Sequence, residues 1–179
     1  MTAATVTAAL TNVTAAFPAD FASLLAAHRG IVLKVAASYA RTPEDRADLA
    51  QDIAMQLWQA WPAYDPARTF STWMYRVALN VAISWQRRET HRRHEPLDEA
   101  AHDGIAGALD VDVEARERLE LLQRAMATLG AIDRALLLLH LDGCSHRESA
   151  DVLGTSEGNV ATRLGRIKTQ LRRHVGAGA

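Results

Sequence analysis

Apolar residues recur at helical spacing along most of the chain. Phe21, Leu24, Leu25, His28, Val32 and Val35 mark one stripe and predict a first helix over residues 20–39. Arg41-Thr42-Pro43-Glu44-Asp45 reads as a loop with Pro43 as a breaker. Leu49, Ile53, Leu57 and Trp61 then step by four and define the buried face of a second helix over residues 44–61. After the turn-rich Pro62-Ala63-Tyr64-Asp65-Pro66, Ser71 or Thr72 is placed to cap a third helix that runs to Arg88. Its apolar positions Trp73, Val77, Val81 and Trp85 also step by four, so both tryptophans are assigned mainly to packing.

Residues 95–113 break the pattern. They contain Pro96, Gly104 and Gly107, carry acids and no base, and are too long for an ordinary structureless loop, so they read as a linker. A helix over residues 114–129 follows, then the apolar segment 132–141, stopped by Asp142-Gly143. Ser145-His146-Arg147-Glu148 has the form of a capping box, opening a short helix that ends near Leu153. Gly154 makes the turn, and Thr155 or Ser156 caps a last helix striped by Val160, Leu164, Ile167 and Leu171. Residues 1–19 are Ala/Thr-rich with little periodicity and read as a loose leader. The expected fold is all-α, with two small helical domains (residues 20–94 and 114–175) joined by an acidic flexible linker.

The 179 residues are 49% hydrophobic and 23% charged, values of a globular chain. One cysteine, Cys144, rules out an internal disulfide framework and fits a reducing compartment. The longest aliphatic run, residues 135–139, is far short of the roughly 20 residues of a membrane span. The leader carries no Lys or Arg and so lacks the charged start of a secretory signal. A cytoplasmic protein without membrane insertion is expected. His140, Cys144 and His146 straddle a predicted helix end and supply at most three ligands, so no metal or other cofactor is expected. Neither a phosphate-cradling glycine loop nor a nucleophile elbow is present, which argues against an enzyme.

Net charge is −1, but the average hides a pattern. Residues 87–94 carry +3, residues 95–120 carry −7, and residues 158–179 carry +5 with no acid at all. Two basic patches thus flank an acidic middle, and each is a candidate phosphate-binding surface. The second lies on a short helix, a Gly turn and a basic amphipathic helix, the layout of a helix-turn-helix. In that motif the second helix enters the major groove, its first turns meeting base edges while cations hold phosphates. Here those turns present Ser156, Glu157, Asn159, Thr162, Arg163 and Arg166, with Lys168 behind them. Asn and Arg are the residues suited to bidentate contacts with adenine and guanine.

The segment Asp48-Leu49-Ala50-Gln51-Asp52 through Leu57-Trp58, then Phe70-Ser71-Thr72-Trp73-Met74-Tyr75-Arg76 through Asn80-Val81-Ala82-Ile83, then Arg87-Arg88, resembles region two of bacterial sigma factors. The stretch from Ser145 to Arg173, with ADVLGTSEGNVATRLGRIKTQLRR, is similar to their region four. Two such domains with nothing larger between them match the extracytoplasmic-function group. The resemblance spans residues 20–175 and implies a dissociable subunit that brings core RNA polymerase to promoter DNA. It also implies an anti-sigma partner, which no residue identifies. Asp48, Gln51, Asp52 and Trp58 match the family's surface for the clamp helices of the largest polymerase subunit. Met55 joins them, because Gln51, Asp52, Met55 and Trp58 lie off the Leu49/Ile53/Leu57/Trp61 stripe and form a mixed face suited to a partner helix.

The third helix and the loop before it match the segment that reads and opens the minus-10 element. Tyr64, Thr69, Tyr75, Arg76, Asn80, Arg87 and Arg88 are the residues expected to meet DNA there, since stripped bases stack on rings while cations follow the backbone. Housekeeping members place a Trp pair where this chain has Arg76 and Val77, which implies weak strand opening and a need for a close promoter match. In region four, Ser149 stands at a usually apolar position and Ala161 at one that is often basic. Seven acids of the linker segment (Glu95, Asp98, Glu99, Asp103, Asp110, Asp112 and Glu114) suit a path through a basic polymerase channel. The rival reading is a conventional helix-turn-helix regulator with an N-terminal dimerisation or sensing bundle. It accounts for residues 114–175 but not for Asp48–Trp58 or the first basic patch.

Overall fold

A computed structural model describes residues 17–92 and 124–176 of the chain. Residues 1–16 of the leader, the whole 95–113 segment and residues 114–123 of the fourth predicted helix lie outside them. The chain divides into two compact units between Leu109 and Asp110. Among the described residues both units are built of helices, without strands.

In the N-terminal unit, α1 (Ala19–Ala27) and α2 (Arg29–Tyr39) replace the single helix expected over residues 20–39. They meet at 60° across His28, whose backbone (φ −107°, ψ 13°) is no longer helical. The break comes two residues before Gly30, a poor helix former. Apolar residues are buried on both sides of it, Phe21 with Leu25 before and Ile31-Val32 with Val35 after. The next helix, α3 (Pro43–Ala60), starts earlier than expected. Thr42 is its cap, with Oγ1 accepting from Asp45 N–H at 3.0 Å, so Pro43 opens the helix at its first position instead of breaking it. Leu49, Ile53 and Leu57 are fully buried, as their spacing predicts, whereas Trp61 falls in a 3-10 turn (Trp61–Ala63) beyond the helix end.

Helix α4 (Phe70–Arg92) departs most from expectation. It begins before Ser71, with Trp73 N–H donating to Thr69 O at 3.2 Å, so Thr69 holds the cap position that Ser71 or Thr72 was expected to fill. Its buried face is Phe70, Met74, Tyr75, Ala78, Leu79 and Ala82, not the Trp73/Val77/Val81/Trp85 stripe, which is half-buried along the edge. Both stripes repeat every three to four residues; packing against α2 and α3 selects the one whose small alanines admit close neighbours.

The C-terminal unit follows its local signals closely. Residues 124–127 are helical, and α5 (Ala131–Leu141), α6 (His146–Leu153) and α7 (Glu157–Gly176) pack on one another. Their core is Met126, Leu129, Leu136, Leu137, Ala150, Val160, Leu164 and Ile167, with Leu153 and Leu171 packed against it. Buried Arg134 donates to the carbonyls of Met126 (3.1 Å), Ala127 (3.3 Å) and Leu129 (3.2 Å), so one guanidinium satisfies the end of the preceding helix. Ser149 is 1% exposed and takes a core position despite its hydroxyl.

Candidate nucleic-acid and partner interfaces

On α3 the residues opposite the core are Asp48, Gln51, Asp52 and Met55, all exposed. Met55 is 41% exposed, an apolar side chain among the polar ones of this face. Trp58 lies at the edge of this face. It is half-buried, stacked on Phe17 (centroids 5.2 Å apart, 26° between planes) and tilted against Phe21 at 5.3 Å. Only part of its ring is left for a partner.

Tyr64 is likewise built into an aromatic cluster. It stacks on Trp61 (5.3 Å, 17°), meets Phe70 edge-on at 5.5 Å and lies 5.1 Å from Trp73. Its hydroxyl donates to Arg68 O at 2.8 Å, and Asp65 Oδ1 accepts from Ala67 N–H at 2.9 Å, so the 64–69 loop is closed by its own side chains. Thr69 at the end of the loop is exposed.

Arg76, Asn80, Ser84 and Arg87 are exposed and share one side of α4, opposite the buried face. Tyr75 does not join them. At 2% exposure it belongs to the core, so it is unavailable to stack on a base; one residue of error in the stripe is enough to turn a side chain inward. Arg88 points along the α3 side, 4.0 Å from Asp52, and this exposed ion pair bridges the two candidate surfaces. Beneath it, Met55, Gln56, Gln59, Val77, Asn80 and Val81 are among the residues lining a groove of about 560 Å³ between α3 and α4.

The helix-turn-helix is set by three caps. Ser145 Oγ accepts from Glu148 N–H at 3.2 Å, while Glu148 Oε2 accepts from Ser145 N–H (2.8 Å) and hydroxyl (2.7 Å), which completes the capping box. The hydroxyl first, and then the N–H, hold the Glu148 carboxyl below the usual carboxylate range. Gly154 takes the left-handed conformation (φ 65°, ψ 41°), and Thr155 N–H donates to Ala150 O at 3.0 Å. Ser156, not Thr155, caps α7, with Oγ accepting from Asn159 N–H at 3.3 Å. Thr155 Oγ1 instead accepts from Asn159 Nδ2 at 2.7 Å, which fixes the amide at the mouth of the helix.

Along α7, Ser156, Glu157, Asn159, Thr162, Arg166 and Lys168 are exposed, as are Arg172 and Arg173 behind them. Arg163 is different. It is half-buried, and its Nε lies 3.0 Å from Asp133 Oδ1 on α5, so it is engaged within the unit instead of reaching out with Arg166. Asp133 carried no pattern that marked it in advance. The aromatic cluster around Trp61 was missed too, because its members come from three elements that no single periodicity joins.

Comparison with known proteins covers both units. The sigma-70 region 2 family matches residues 24–93, and the sigma-70 region 4 family matches residues 119–171. The RNA polymerase sigma factor CnrH of Cupriavidus metallidurans is 32% identical over 161 residues, 84% of each chain. The ECF RNA polymerase sigma factor RpoE of Cereibacter sphaeroides is 31% identical over 131 residues, 72% of this chain and 71% of that one. The chain is an ECF sigma factor of the sigma-70 family. It therefore directs core RNA polymerase to promoters for transcription initiation, and the conventional regulator, which explains only the second unit, is set aside. Two solved structures share the fold. CnrH in complex with the cytosolic domain of CnrY has a TM-score of 0.66 at 24% identity, covering 96% of this chain and 97% of the other. The sigma factor RpoE in complex with the anti-sigma factor NepR from Bartonella quintana has a TM-score of 0.68 at 20% identity, covering 88% and 97%.

Proposed function

We propose a division of labour within this sigma factor. Region 2 (residues 20–94) docks through Asp48, Gln51, Asp52, Met55 and the open edge of Trp58 on the polymerase clamp helices. It meets the minus-10 element through Thr69 and the row Arg76, Asn80 and Arg87, with Arg88 beside the α3 face. Tyr64 supports the 64–69 loop from beneath. Region 4 (residues 114–175) reads the minus-35 element through Ser156, Glu157, Asn159, Thr162 and Arg166, with Lys168 on phosphates. The observation that carries this reading is that both long helices, α4 and α7, set their exposed amides and cations opposite a buried apolar face. The protein performs no chemistry itself and works in the cytoplasm, where no helix among its described residues is long and apolar enough to hold it in a membrane. An anti-sigma protein restrains it, a reading supported by the company its structural neighbours keep.

Reconstitution with core polymerase, followed by sequencing of transcript starts on fragmented genomic DNA, tests the reading. New starts that share a two-part upstream element are expected, and Met55→Glu is expected to abolish them by preventing assembly. Starts that survive Met55→Glu and Arg76→Ala unchanged would overturn the proposed surfaces. The Arg76-Val77 pair is proposed to make strand opening weak. Arg76→Trp with Val77→Trp should then broaden the set of promoters used, since each added stacked base is worth about 1–3 kcal/mol; an unchanged set counts against the idea.

A further inference from the structure

The Asp133–Arg163 pair takes no part in the surfaces proposed above, although the sequence placed Arg163 among the minus-35 residues. Asp133 sits in the first turn of α5, and Arg163 two turns into α7. Their side chains are 33% and 36% exposed, shielded enough to be only partly screened by salt. Asp133 stands on a fixed post, because its neighbour Arg134 ties the same turn of α5 to the carbonyls of Met126, Ala127 and Leu129. On α7, Arg163 lies four residues after Asn159 and three before Arg166, between the two side chains best suited to read base edges.

Much of the described attachment of α7 is aliphatic. Val160, Leu164 and Ile167 bury against Leu136, Leu137 and Ala150. Such contacts are non-directional: they resist separation, and they limit rotation about the helix axis only through shape. The Arg163–Asp133 contact is an ion pair, since Asp133 Oδ1 makes no hydrogen bond, but it pulls one point of α7 towards one point of α5, and fixing register is the best-attested use of such charges.

We propose that Asp133 is a positioning residue for promoter recognition. By holding Arg163 it sets the rotation at which α7 presents Asn159 and Arg166, and it removes Arg163 from the set of phosphate ligands. This rests on the reading of α7 as the minus-35 helix.

The test uses holoenzyme assembled from full-length protein, with promoter affinity measured at several salt concentrations on intact and minus-35-mutated fragments. Arg166→Ala checks the underlying reading: if it leaves promoter affinity unchanged, the minus-35 assignment fails, independently of Asp133. With that assignment intact, Asp133→Asn and Arg163→Met should each weaken promoter binding by about two- to fivefold, the range of one partly exposed ion pair. Both should reduce discrimination against the mutated element while leaving the slope of log affinity against log salt unchanged. The exchanged pair, Asp133→Arg with Arg163→Asp, should recover most of the affinity and the discrimination. A slope lowered by about 0.9 in Arg163→Met, the mark of one lost phosphate contact, would overturn the proposal. Tighter binding by Asp133→Asn, or an exchange that restores thermal stability but not discrimination, would do the same.

Discussion

The two units solve the same problem, holding a basic helix in the open, with opposite materials. The N-terminal unit contains every Phe, Tyr and Trp of the chain, and its 64–69 loop rests on rings from the 3-10 turn, the loop itself and α4. The C-terminal unit has none of these residues and packs Leu, Ile, Val, Met and Ala. There the geometry is imposed at the helix ends, by Ser145 with Glu148, by Gly154 and by Ser156. Tertiary packing shapes one surface and local backbone chemistry shapes the other.

The comparison can be broken most forcefully in the N-terminal unit. Ile53 is fully buried between helices, so Ile53→Ala should destabilise that unit by about 2–5 kcal/mol through lost burial and the cavity left behind. Chemical denaturation followed by circular dichroism measures this, and a loss below 1 kcal/mol would mean that the aromatic framework repacks around the gap. In the C-terminal unit the larger effect is at the turn. Added atoms at Gly154 meet nothing within 4 Å, so Gly154→Ala should cost only the backbone strain of a left-handed residue, about 1–2 kcal/mol. A much larger loss would show that packing, not backbone conformation, governs this turn.

The smallest effect is also the most diagnostic. Ser145→Ala should cost about 1 kcal/mol at neutral pH. Glu148 has a lower pKa folded than unfolded, so its bonds stabilise the fold above the ordinary carboxylate range and are lost as pH falls through the depressed value. The difference between wild type and variant should therefore shrink in acid. A pH-independent difference would show that Glu148 takes no part.

This contrast explains what was legible in the sequence. In the C-terminal unit the capping box, the Gly154 turn and the Val160/Leu164/Ile167 stripe each act within a few residues, and the structure has them where the sequence places them. In the N-terminal unit the exposed face of α3 was legible for the same reason, as the complement of a clear stripe. The face of α4 was not, because two stripes fit its sequence and only contact with α2 and α3 chose between them, burying Tyr75 and leaving Trp73 and Trp85 at the edge. The partner of Arg163 was equally out of reach. Thirty residues separate it from Asp133, and a lone acid in the first turn of a helix looks like any other.

The uneven distribution of rings has an optical consequence. Trp58, Trp61, Trp73 and Trp85 are the only tryptophans, and all fall in region 2, so intrinsic fluorescence watches that unit and is blind to region 4. Trp58 borders the proposed polymerase face, with Phe17 and Phe21 on its other side. Docking on polymerase should therefore shift the emission of the free protein, whereas capture of a minus-35 duplex should pass unseen. The molecule carries a reporter for one of its two tasks, with no label added.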